Sequence, residues 1–206
     1  MVKTRRFAAI AVVVPLVLLL ASCTGNPSEP GAQTPSASSP TTTPTPTPSA
    51  TTESPEDLAT AQAEDVVRAY YRAQVSCLSD PAASLPTCFD DVATATELTN
   101  MRNALSTAQQ MGTKVTGAVE VISADAESVD LTNTPGANPP VVPEIVLSVC
   151  RDVSGFNIVD SSGKSIVPTT RVARGLDEVH VANYSYPDAT QWRVAYVVAP
   201  QSGTTC

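Results

Sequence analysis

Residues Ala95–Ile122 read ATELTNMRNALSTAQQMGTKVTGAVEVI, and a change of rhythm inside this stretch decides the fold. Leu98, Met101, Leu105 and Ala108 recur at three and four residues, which is the apolar stripe of a helix over Ala95–Met111. Gly112 follows at the position where a left-handed cap ends a helix. Beyond it the period falls to two. Val115, Gly117, Val119 and Val121 alternate with Thr116, Ala118 and Glu120, as on a strand with one buried face.

Working outward, Ser54-Pro55-Glu56-Asp57 reads as an N-cap, a proline at the first helical position and acids in the first turn. A helical stripe follows through Val67, Tyr70 or Tyr71, Gln74 or Val75, and Leu78. Ser79-Asp80-Pro81 and Pro86 break it, and Cys88–Val92 is expected to form a short helix. After Ile122, Val129 and Leu131 are expected to pair back across a turn near Asp125. A Pro-rich loop spans Thr134–Pro143. Ile145, Leu147 and Val149 make a strand ending at Cys150. Phe156–Val159 and Ile166-Val167 read as a hairpin across Asp160–Lys164. Glu178–Tyr184 and the stretch holding Trp192, Val194, Tyr196 and Val198 complete the pattern. Helices followed by four to six antiparallel strands make residues 57–206 one α+β domain, with the helices packed on one face of a curved sheet.

The chain ahead of this domain has a different composition. Lys3, Arg5 and Arg6 precede an apolar run, Phe7–Leu20, whose 14 residues are short for a bilayer span of about 20. The run fits the core of a secretory signal peptide. It ends in Leu20-Ala21-Ser22-Cys23, where small residues admit the signal peptidase and the cysteine thiolate takes a diacylglyceryl group. Residues 1–22 are therefore expected to be a lipoprotein signal, and Cys23 the lipid-modified N-terminus of the mature chain. Two acyl chains anchor stably where one is marginal. Residues 23–56 carry Pro27, Pro30, Pro35, Pro40, Pro44, Pro46, Pro48 and Pro55 among Thr, Ser and Ala, without Val, Ile, Leu or aromatic residues. Such a segment buries too little apolar surface to offset its ordering entropy, so it is expected to be a disordered tether.

The chain has 12 basic and 20 acidic residues, net charge −8. Loss of Lys3, Arg5 and Arg6 with the signal leaves 9 basic against 20 acidic residues, or −11. This gives no electrostatic footprint for nucleic acid and no attraction to an anionic membrane, so membrane attachment falls to the lipid on Cys23. With Cys23 taken, Cys77, Cys88, Cys150 and Cys206 remain in an oxidising compartment. Four cysteines allow three pairings. Cys77–Cys88 is favoured because the two lie close across one Pro-rich loop, and Cys150–Cys206 because it would pin the chain end to a strand. Closing these loops contributes roughly 3 and 4 kcal/mol at the upper end. A metal site is not expected, since there is no C-x-x-C and His180 is the sole histidine.

The signal, the Thr/Pro tether and the domain together resemble the surface lipoproteins of mycobacteria and their relatives. The domain resembles their NTF2-like (cystatin-like) modules. The features that carry this are Val66-Val67-Arg68-Ala69-Tyr70-Tyr71, the strand Leu147–Cys150 followed by Asp152, the hairpin Ile158–Ser165, and Trp192-Arg193-Val194 ahead of Cys206. The resemblance covers roughly residues 60–206 and implies a cone: a curved sheet wrapped on helices, with a pocket at the wide end.

Catalytic motifs are weak. Gly163-Lys164-Ser165 resembles the end of a phosphate-binding loop, but Ile158 stands where that motif needs glycine, and a turn explains the run. His180 is expected on the strand face opposite Val179 and Val181, at a surface or rim. No G-x-S-x-G surrounds Ser76, Ser148 or Ser165. Asn183-Tyr184-Ser185 is a formal glycosylation sequon. Glu120 is the one weak catalytic candidate. If its face lined a pocket, a desolvated carboxylate could abstract a proton, and the enzymes of the resembled superfamily pair such a group with a tyrosine or histidine. Tyr70, Tyr71 and Tyr196 could supply that partner. The leading expectation is a non-catalytic, cofactor-free module that binds a small apolar ligand or an envelope partner. The alternatives are a small isomerase or dehydratase, and a structural protein without a pocket.

Overall fold

The computed structural model describes residues 53–199 and 205–206. The segment expected to be a signal peptide, Cys23 and nearly all of the expected tether lie outside the described residues. The described part is α+β, with two helices packed on antiparallel sheets. Helix α1 spans Pro55–Ser79 and opens on a capping box: Ser54 Oγ accepts from the Asp57 amide (3.0 Å), and Asp57 Oδ2 accepts from the Ser54 amide (3.3 Å). Helix α2 spans Ala95–Met111, and Gly112 caps it in the left-handed region at φ 63°. Between them the expected short helix is a single 3-10 turn, Pro86–Phe89. Cys77 is bonded to Cys88 across this connection (Cα–Cα 6.2 Å). Cys150 is bonded to Cys206 (Cα–Cα 5.8 Å).

Strands β2 (Glu120–Asp130), β3 (Glu144–Asp152), β5 (Arg174–Asn183) and β6 (Trp192–Val198) form a four-stranded antiparallel sheet in that order. A two-stranded sheet pairs β1 (Lys114–Thr116) with β4 (Asn157–Val159). The core lies between the helices and the inner face of the larger sheet. Register sets Leu147 opposite Val179, and Ile145 opposite Val181. All four are fully buried, together with Val67 of α1, Leu105 of α2, Phe89, and Val194 of β6. Burial of each such side chain contributes about 1.5–3 kcal/mol. Polar contacts also fix α1 to the sheet: among them, Arg68 Nη1 donates to the Val121 carbonyl (2.9 Å), and Trp192 Nε1 donates to Gln62 Oε1 (2.9 Å).

Three expectations need correction. Val115–Val121 is not one strand, because the chain breaks at Gly117, which sits at φ 83°. A Cβ there would lie 1.7 Å from the Gly155 carbonyl oxygen, so only glycine lets the two backbones cross. There is also no turn near Asp125. The β2 strand runs unbroken to Asp130, and its irregular register at Val121/Ser123 and Ala126/Ser128 absorbs the change in side-chain direction. The turn at Asp160–Lys164 is present, since the Asp160 amide donates to the Lys164 carbonyl (2.9 Å), but Ile166-Val167 forms no strand: β4 pairs with β1, and the return is a single bridge from Val159 to Ser165.

The Gly117–Gly155 crossing leads to a first prediction. Gly117→Ala imposes left-handed strain of about 1–2 kcal/mol and adds a clash with Gly155, so its urea midpoint should fall by more than that strain alone accounts for. An unchanged midpoint would mean the crossing is not made.

Candidate functional site

The site follows from strand parity. Ile145, Leu147 and Val149 point inward from β3, and the next residue of that series is Arg151. Val179 and Val181 point inward from β5, and the residue that precedes them in the series is Asp177. Val149 pairs with Asp177 and Arg151 with Gly175, so Arg151 and Asp177 are diagonal neighbours on the core face. Arg151 Nε donates to Asp177 Oδ2, and Tyr71 of α1 donates its hydroxyl to the same oxygen (2.6 Å). Tyr70, one residue earlier and about a quarter-turn round the helix, donates instead to Glu97 Oε1 of α2 (2.5 Å). Asn100 Nδ2 donates to Glu97 Oε2 (3.2 Å). Glu97 begins the inward stripe that continues through Met101 and Leu105. The two tyrosine rings meet edge to face, 5.1 Å between centroids.

Glu97 and Asp177 are only 3% and 2% exposed, unusual for carboxyl groups and sustained here by their donors. Asp177 Oδ1 is the exception. It is buried and has no hydrogen-bond partner among the described residues. Burial, then the neighbouring Glu97 carboxylate, pushes the Tyr70 hydroxyl pKa far above its ordinary value. Burial, then Asp177, does the same to Tyr71. Burial pulls the Arg151 guanidinium down, but its hydrogen bond and ion pair with Asp177 outweigh this and leave it raised.

These groups line a cavity of about 380 Å³, within the usual range for small-molecule sites. Its polar groups come from Tyr70, Tyr71, Glu97, Arg151 and Asp177. Met101, Val119, Val153, Phe156 and Val197 supply the apolar walls. The loop carrying Val153 and Phe156 is held by Arg171, whose Nη2 donates to both carbonyls (2.7 and 2.8 Å) and whose guanidinium lies 5.8 Å from the Phe156 ring centre. A larger hollow of about 720 Å³, bounded by Thr116, Ser154 and Pro168, contains no carboxylate and only this committed arginine as a charged group.

The sequence candidates fall elsewhere. Glu120 is exposed at the start of β2, opposite Asp152, and does not line the cavity; its neighbour Val119 does. The conditional role of Glu120 as a pocket base is therefore corrected: the carboxylates that meet tyrosines are Glu97 and Asp177. Tyr196 is exposed on the other face of the sheet, 5.8 Å from the His180 ring. His180 is part-buried, with Nδ1 on Glu144 and Nε2 on Glu178 (2.9 Å), so Glu178 is a neighbour in space as well as in sequence. Burial lowers the His180 pKa, but the two glutamates more than offset this and raise it. The Asn183 side chain is buried and donates to the Asp188 carbonyl (2.7 Å), which closes the sequon to modification of the folded chain. No group of three or more His, Cys, Asp or Glu side chains that could hold a metal occurs among the described residues.

Asp177, Arg151 and Glu97 were missed by the sequence reading. Parity was the available signal: extending β5 by one inward step from Val179 reaches Asp177, and extending β3 from Val149 reaches Arg151. For Glu97 it was the four-residue step back from Met101.

No family model matches the chain, and no curated protein matches it. Among solved structures, the chain is similar to the crystal structure of the intermembrane space region of the chloroplast protein ARC6. The identity is 10% and the TM-score 0.46, over 69% of this chain and 97% of that one.

The buried tyrosines set a pH dependence. Folded Tyr70 and Tyr71 keep their protons at pH values where an unfolded tyrosine, with its ordinary pKa of 10.0, has lost them. The folded state then binds more protons, so stability is intact below pH 10 and falls as pH rises above it. Denaturant titrations at rising pH should show this fall, and Tyr70→Phe with Tyr71→Phe should remove most of it. An equally steep fall in that double variant would contradict the assignment.

Proposed function

We propose that this chain is a cell-envelope lipoprotein, anchored by acylated Cys23 and carrying an NTF2-like ligand-binding module at the end of its tether. The observation that carries the binding reading is the cavity between α1, α2 and the sheet, where buried polar groups converge beside apolar walls. The Cys23 motif and the preceding apolar run support export and anchoring on the outer face of the cytoplasmic membrane. The tether would carry the domain into the cell wall. The acidic balance supports a soluble, freely held domain with no nucleic-acid partner. Because the lining mixes buried polar groups with apolar side chains, the ligand is read as amphipathic, a departure from the small apolar ligand or envelope partner expected from the sequence.

A second reading is a small isomerase or dehydratase. The pairing of a buried carboxylate with a tyrosine in the cavity lining, Asp177 with Tyr71, supports it.

Native mass spectrometry of the lipid-free mature chain, residues 24–206 exported behind a different cleavable signal in an actinobacterial host without reductant, tests the binding reading. A discrete added mass that leaves on activation is expected, and Val119→Trp, which fills the cavity, should abolish it. A bare mass in both proteins would overturn the reading. Denaturation of the same sample should show a mass about 4 Da below the fully reduced chain, from two disulfides. Recovery of the added compound chemically changed after incubation would favour the enzyme over the binding module.

A further inference from the structure

We infer that His180 is a proton-operated clamp on the outer face of the larger sheet: protonated, it ties β3 to β5 through Glu144 and Glu178, and loss of its proton loosens the end of the sheet where Asp130 stands opposite Glu144. The clamp lies on the face turned away from the helices, and none of its residues lines the cavity.

Strand parity builds it. Val179 and Val181 point inward, so Glu178 and His180 of β5 point outward. His180 stands opposite Val146 of β3, and Glu144 is its diagonal neighbour on the same face. Its Nδ1 meets Glu144 Oε1, and its Nε2 meets Glu178 Oε1 (2.9 Å). Only the imidazolium donates from both nitrogens. The neutral ring keeps one donor and turns a lone pair toward the other carboxylate, so one glutamate must swing away. Both glutamates have room to do so, with side chains 44% and 49% exposed, whereas the ring is 25% exposed and sits beside Tyr196 of β6.

The surrounding charges give this proton its leverage. Asp130 of β2 is the direct partner of Glu144, and Asp125 lies in the row that runs through Ser148 to Glu178. Like charges directly opposite one another destabilise a strand pair. Hydrogen bonds from Thr132 lower the Asp130 pKa and keep that carboxylate charged. The other cations on this face are committed elsewhere. Arg174 pairs with Asp152 (2.8 Å), and Arg193, opposite Ala182, donates to the carbonyls of Asp90, Thr190 and Trp192. Residues 200–204 carry no ionisable side chain. Among the described residues, the His180 proton is thus the positive charge that Glu144 and Glu178 share. Burial lowers the His180 pKa, and the two glutamates more than restore it, above the ordinary 6.5. The clamp is therefore complete below pH 6.5 and is lost as pH rises through the raised value.

The test uses NMR of the lipid-free chain of residues 24–206 without a histidine tag, in which His180 is the sole histidine and its ring signals identify themselves. The ring should titrate with a midpoint above 6.5, and Glu144→Gln and Glu178→Gln should each lower that midpoint. Amide exchange, corrected for its intrinsic pH dependence, reports on the sheet end. Protection of residues 128–130 and 144–146 should fall about two- to fivefold, with the same midpoint as the ring. His180→Gln should abolish this fall by removing the proton. Glu144→Gln should abolish it by removing the charge opposite Asp130, and it carries the comparison should His180→Gln fail to fold. A ring midpoint at or below 6.5 overturns the inference. So does protection that stays constant through the ring's titration, or a fall that persists in Glu144→Gln.

Discussion

A carboxylate at a core position of β5 is the constraint around which the domain is arranged. Asp177 occupies the inward series that otherwise holds Val179 and Val181, and a charge there is tolerable only when paired and hydrogen-bonded. Arg151 answers it from the adjacent strand and Tyr71 from the helix above. The neighbouring Tyr70 makes the parallel contact to Glu97, so one dipeptide on α1 bonds to both the sheet and α2. Replacing such a network by apolar side chains is often neutral or stabilising. Removing one member of it is costly, because a buried charge is then left unpaired.

The walls of the cavity depend on a local event far from the network in sequence. The left-handed Gly117 breaks the first strand and lets the backbone cross Gly155. That crossing, with the hydrogen bonds from Arg171, brings Val119, Val153 and Phe156 to one rim. The Cys150–Cys206 bond returns the chain end to β3 next to Arg151. The glycine crossing and the Arg171 clamp thus meet at the rim of the cavity, while the crosslink lies on the opposite face of β3.

Much of the fold was legible because it is written locally. The capping box at Ser54, the Leu98–Ala108 stripe with its Gly112 stop, and the alternation through Ile145, Leu147 and Val149 each follow from near neighbours. What failed depended on distant partners. The break at Gly117 needs Gly155, 38 positions on, to become visible. The unbroken β2 was read as two strands because its bulges disturb the period of two. The candidate site was legible only in part: Tyr70 and Tyr71 were picked out, but with Glu120 as their carboxylate. Alternation placed Glu120 opposite Val119 without saying which of the two faced inward, and Val119 does. The partners that matter are 27 and 106 residues from the tyrosines they meet.

The central claim is that the Tyr71–Asp177 contact couples helix to sheet. A double-mutant cycle with Tyr71→Phe and Asp177→Ala, measured by urea unfolding of the lipid-free chain of residues 24–206, tests it most directly. The two changes should be non-additive by about 1–3 kcal/mol, as expected of a buried hydrogen bond to a charged group. Additivity within a few tenths of a kcal/mol would contradict the account.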